Sequence, residues 1–230
     1  MQKVKVLFIA LVALASLGAT ALTATASAEN GFLGNANPVN FTISSGGGTF
    51  QSLGSSIIVK CTSDSGEGQN TAGLNAKGEP NGEEDTLGWF EVKFKGCTAG
   101  GLAATGLSCG LTPTSCASKE IFVEGKYHLC VPVATPLKAY LVLLPNEVHF
   151  EVLGILTGVK GAVIGEVTSP SGTMEKITVV LTQSGGMNAI EECEGKRWIL
   201  ESETNGGAFE QSGEETTETI TGPATEQIMY

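Results

Sequence analysis

The chain has little positive charge, few aromatic residues and almost no imidazole. Thirteen lysines and arginines face twenty-four aspartates and glutamates, a formal net charge of −11, and aromatic residues make up 6% of 230 positions. Such a surface repels phosphate backbones and anionic lipid, and no basic stripe overrides the repulsion, which argues against nucleic acid as a partner. The only histidines are His128 and His149. No C-x-x-C occurs, so the tight knuckle that aims two thiolates at one zinc ion is missing. Also missing is any glycine-rich stretch with the preceding strand, following helix and lysine of a phosphate cradle. No amphipathic run in the body of the chain is long enough for a confident helix, which argues against nucleotide-binding α/β architecture.

The one long apolar run stands at the start. Lys3 and Lys5 precede "VLFIALVALASLGATAL", and Ala26-Ser27-Ala28 follows as a cleavage pattern. Ser16, Gly18 and Thr20 interrupt the run, and no basic stop-transfer flank follows it. Residues 1–28 are therefore expected to be a cleavable signal peptide. The remainder, 29–230, is expected to be a single all-β domain with an acidic, partly flexible C-terminal end. It would be secreted or held in the cell envelope, with no membrane span. Because the leader holds two bases and no acid, the remainder carries a formal charge of −13, which favours solubility outside the cell.

In that remainder the hydrophobic period is two, with Gly, Ser, Asn and Pro between short runs. In "WFEVKFK", Phe90, Val92 and Phe94 share one face while Trp89, Glu91, Lys93 and Lys95 share the other. Ile177, Val179 and Leu181 alternate in the same way, as do Val148, Phe150 and Val152. Further strands are expected in "FTIS", "SSIIVKC", "EIFVEGKYHLCV", "KAYLVLL", "GAVIGEVT", "RWILES" and "ETTETIT". The fold class is all-β with little helix once the signal is removed. An antiparallel two-sheet sandwich is placed first and a barrel second. "SSGGGTF" and "GEGQNTAG" are taken as turns, and residues 73–85 as a solvated loop.

Six cysteines in an exported chain point to disulfides. The favoured pairs are Cys130 with Cys193 across distant strands, Cys109 with Cys116 as a local staple, and Cys61 with Cys97 at two strand ends. Exchange among Cys97, Cys109 and Cys116 remains open at this point. Each closed loop is worth on the order of 2 to 4 kcal/mol, offsetting the ordering cost of a glycine-rich chain.

Residues 106–110, "GLSCG", match the G-x-S-x-G nucleophile pattern, but the flanks of Ser108 supply neither the strand before nor the helix after. His128 and Cys130 would share a strand face, as would His149 and Glu151, yet nothing in the sequence brings the two sets together. Asp64 and Glu67, and Glu79, Glu83, Glu84 and Asp85, lie in acidic stretches that lack the spacing of a calcium loop. Trp89 and Trp198 are the only tryptophans available for a sugar platform, and Asn40-Phe41-Thr42 is a glycosylation sequon by pattern. No catalytic residue, cofactor or metal ligand is assigned.

The succession "VKCTSDSGEG", "VKFKGCTAGG", "SCASKEIFVEGKYHLC", "VKGAVIGEVTSP" and "NGGAFEQSGEETTETIT" resembles a group of exported, β-rich actinobacterial proteins of unknown function. The resemblance spans roughly residues 40 to 222. It implies a signal peptide, a β-strand domain and an extracytoplasmic location, and it transfers no functional residue. The expected function is a non-enzymatic extracellular or envelope protein that binds wall polymer, glycan or protein through its surface. The alternative is a secreted carboxylate-dependent hydrolase, with or without calcium, using acids such as Asp64, Glu67 or Glu151. A structural envelope component that self-associates is a third reading.

Overall fold

A computed structural model describes residues 31–33, 39–70, 88–110, 115–130, 138–168, 176–193, 195–222 and 227–229. Every regular element among them is a β-strand. Eight antiparallel strands close on themselves: β2 (Val39–Ser45), β5 (Ser63–Asn70), β6 (Gly88–Lys95), β9 (Glu120–Cys130), β10 (Ala139–Pro145), β13 (Val163–Val167), β14 (Ile177–Leu181) and β20 (Glu210–Thr221). The closing pair is β14 with β20, running from Ile177 opposite Ile220 to Leu181 opposite Thr216. Closure makes the molecule a barrel and not the two-sheet sandwich placed first. A sandwich would leave β14 and β20 as edges, and here their backbone groups satisfy each other.

A second circuit starts and ends on β20. It runs through β19 (Leu200–Thr204), β12 (Ile155–Gly161), β11 (Val148–Val152), β8 (Leu102–Gly106), β7 (Thr98–Ala99), β4 (Ile58–Lys60) and β3 (Gly48–Ser52). β20 has room for both circuits because its length is divided. Residues 212–216 pair with β3, and 216–220 pair with β14. Three small pairs complete the structure: β1 (Gly31–Leu33) with β21 (Gln227–Met229), β15 (Gln183–Ser184) with β16 (Met187–Asn188), and β17 (Glu192–Cys193) with β18 (Lys196–Arg197).

The period-two pattern translates directly into the core. Phe90 and Val92 of β6, Phe41 and Ile43 of β2, and Ile177 and Val179 of β14 fill the closed barrel. Val59, Phe150, Val152 and Leu200 fill the second circuit, where Leu181 and Ile121 join them. "KAYLVLL" lacks alternation because both faces of β10 are covered. Ala139 and Leu141 turn inward, whereas Tyr140 and Val142 pack outside against Trp198 and the Cys130–Cys193 bridge. The other disulfides join Cys61 to Cys97 and Cys109 to Cys116, and no free cysteine remains among the described residues.

Barrel strands this close together leave some positions without room for a side chain. A Cβ on Gly125 would lie 2.7 Å from the Cα of Pro145 on the neighbouring strand and would collide with the Leu144 carbonyl oxygen. The substitution Gly125→Ala is expected to destabilise the protein by about 1 to 3 kcal/mol through forced displacement of β10. Chemical denaturation would measure the loss, and an unchanged midpoint would show that β10 yields freely.

Candidate functional site

The face of β20 that turns inward reads Ser212, Glu214, Thr216, Glu218 and Ile220. A barrel interior is ordinarily filled with apolar side chains, so two carboxyls four residues apart on one inward face call for explanation. Asp64 of β5 joins them, 5% exposed, and Glu218 is 6% exposed.

A small polar network holds this group. The Ser45 hydroxyl donates to Asp64 Oδ2, and the Gly47 amide donates to Ser45 Oγ at 2.9 Å. Thr216 Oγ1 lies 3.1 Å from Glu218 Oε1 and 3.2 Å from the Gly47 carbonyl oxygen. Asp64 Oδ1 and Glu218 Oε2 are buried and receive no donor from these neighbours. Glu218 shares a hydrogen bond with Asp64, and retention of a proton on one of them is the favourable state for like charges forced together away from water. Burial, reinforced by the charges of Asp64 and Glu214 and by the hydrogen bond with Asp64, pushes Glu218 up to about 8. The bond from Thr216 pulls weakly the other way. Glu214 is pushed up to about 7 by burial and by Asp64.

Glu214 borders two cavities of about 80 Å³ each, and Glu218 borders the first of them. The first lies in the closed barrel and is walled by Phe41, Phe90, Val92, Leu141, Ile177 and Val179 among others, with Glu214 and Glu218 facing it. The second lies among Phe50, Val59, Phe150 and Leu200. Both share Phe94, Val123, Pro145 and Glu214 as walls. Glu214 thus stands where the two spaces meet. Part of its surface stays uncovered, and burial nonetheless holds its carboxyl well above the usual range.

The residues singled out in the sequence are mostly elsewhere. Asp64 and Glu67 lie in a strand, β5, and not in a loop. Their odd spacing sends Asp64 inward and Glu67 outward, so they do not combine as calcium ligands or as an acid pair. Glu67 stands abreast of Glu91, which stands abreast of Glu124, on the outer face. Glu91 is raised by its partial burial and then by these two neighbours. Glu151 is exposed and accepts the Gly154 amide at 3.0 Å in the β11–β12 turn. Asp64, Glu67 and Glu151 therefore form no common cleft.

His128 packs against the Trp198 ring with centroids 5.0 Å apart. His149 makes a 3.3 Å ion-pair contact with Glu147. The described residues contain no group of three or more His, Cys, Asp or Glu side chains arranged to hold a metal. Ser108 is exposed beside the Cys109–Cys116 staple, without the strand-to-helix turn of a nucleophile elbow. Trp198 is buried, and Trp89 is partly exposed on the outside of β6. Glu79, Glu83, Glu84 and Asp85 lie outside the described residues.

Glu214 and Glu218 were legible in principle. In "EQSGEETTETIT" a strand that buries Ile220 must also turn Glu218 and Glu214 inward, because all three have the same parity. No family model, no curated protein and no solved structure matches this chain.

Proposed function

We propose that the chain is an exported, non-enzymatic binding protein that holds a small, mostly hydrocarbon ligand inside its barrel. The carrying observation is the pair of apolar cavities that meet at Glu214. An eight-stranded barrel is just wide enough either to fill itself with side chains or to keep space for one small ligand. A dry, apolar cavity of about 150 Å³ is known to take up benzene, and the two spaces here, each about 80 Å³, meet at Glu214.

Export is supported by the leader pattern at residues 1–28 and by three disulfides, which persist in oxidising compartments. Wall polymer and glycan are too large for these cavities and would have to use the outer strands. The carboxylate hydrolase is the weaker reading, because a polymer substrate needs an open cleft with acids on either side of the scissile bond.

Titration with toluene tests the reading. The methyl resonances of Leu141, Ile177 and Val179, which face the first cavity, are expected to shift, and Val179→Phe is expected to abolish the response while the fold survives. Unchanged methyl resonances in the wild-type protein at saturating toluene would overturn it.

A further inference from the structure

We infer that the interior site selects a small hydrophobic amine, whose ammonium group pairs with Glu218 and Asp64 while its hydrocarbon part occupies the first cavity. This rests on the binding reading above and specifies the ligand's chemistry.

Among the described lining residues of the first cavity, the only side chains able to carry charge near neutral pH are Glu214 and Glu218, and no Lys, Arg or His is present. Asp64 hydrogen-bonds Glu218. Buried carboxyls are normally matched by a basic side chain, because stripping water from an unpaired charge is costly. Here the described residues supply the Ser45 and Thr216 hydroxyls but no cation. Two oxygens, Asp64 Oδ1 and Glu218 Oε2, have unused acceptor capacity. An ammonium group brings three donors and one positive charge, which is the complement of that arrangement.

The rest of the wall fits the same ligand. Phe41, Phe90 and Phe94 line the cavity with Tyr127, and Phe41 meets the Tyr127 ring edge-on at 5.7 Å between centroids. Ring faces attract a desolvated cation, and their bulk covers a hydrocarbon tail. An anionic ligand would face repulsion from carboxyls that have no counter-charge, and a neutral one would leave them unpaired. Among the described residues, these acids are not arranged as a group of three that could hold a metal ion.

The titratable groups lining the site are Glu214 and Glu218 from β20 and the Tyr127 phenol from β9, with Asp64 of β5 hydrogen-bonded to Glu218. Binding an ammonium requires a carboxyl to release its proton. Amine affinity should therefore rise between pH 6 and pH 8.5, while affinity for a neutral hydrocarbon should not rise.

Calorimetric titration of the full protein with benzylamine, toluene and benzoate at pH 8 separates the outcomes. Benzylamine is expected to bind at least tenfold more tightly than toluene, with no binding of benzoate. Glu218→Gln is expected to remove the amine preference, and a cooperative melt with an unchanged circular dichroism spectrum shows that the variant is folded. Equal affinity for toluene and benzylamine, or a preference for benzoate, would overturn the inference and leave the hydrocarbon site standing. Failure of every probe to bind would overturn both.

Discussion

Raising the pH from 5 to 8.5 should lower the midpoint of thermal unfolding by about 10 °C, a loss on the order of 3 kcal/mol of folding free energy. The cause is the internal carboxyl group on β20. An unfolded chain would titrate Glu214 and Glu218 near 4.5, whereas the folded barrel holds them protonated up to about 7 and about 8. Between those limits the native state binds more protons than the unfolded state, so stability falls as pH rises and the full contribution is present only below the unfolded value. Glu218 carries most of the effect, since burial together with the charges of Asp64 and Glu214 holds it highest, at about 8 against about 7 for Glu214.

General repulsion on a chain of net charge −11 acts in the same direction. The variants Glu218→Gln and Glu214→Gln separate the two causes, because an amide cannot ionise and each should flatten the slope and exceed the wild type above pH 8. A melting midpoint that is level or climbs over this range would show that water reaches the carboxyls freely.

Loss of the Cys130–Cys193 bridge, in the double variant C130A/C193A, should cost about 4 kcal/mol. The bridge closes a loop with a sequence separation of 63 residues, and longer loops lose more chain entropy when left open. It also pins the segment carrying β17 and β18 across β10, where Trp198 covers Tyr140 and Val142. Both contributions disappear together. At about 2 to 4 °C for each kcal/mol in a domain this size, the midpoint should drop by about 8 to 16 °C. The staple between Cys109 and Cys116, with a separation of only 7, makes the internal comparison and should cost about 2 kcal/mol when removed. Equal losses from the two bridges, in unfolding titrations of both double variants, would contradict the loop-length argument.

Alternation was the legible part of this fold. Phe90 and Val92, Ile177, Val179 and Leu181, and Phe150 and Val152 all face inward as their spacing requires. Strands with weak or polar alternation were not legible. β5 reads "SDSGEGQN", and its glycines look like a turn until the packing is seen: Phe41 lies across the surface that a side chain on Gly68 would occupy. β3 and β8 are short and rich in small residues, and each is held by neighbours on both sides rather than by its own propensity. Closure of the barrel depends on β14 meeting β20, a long-range pairing that no local pattern encodes.

The site was half legible. Asp64 stood out as an acid, but its partner was sought three residues away at Glu67 and not across the barrel at Glu218. Parity along "ETTETIT" would have pointed inward, had an inward glutamate not looked like an error in a core.

The sharing of β20 between two circuits has a consequence for how the molecule comes apart. Its first half belongs to one ring of strands and its second half to the other, like a party wall between two rooms. Neither room can be pulled down alone, because removing the wall opens both. The protein is consequently indivisible in the mechanical sense. No cut between the circuits yields two self-supporting fragments, and an event on one side of Glu214 is felt on the other through the same rigid strip of backbone.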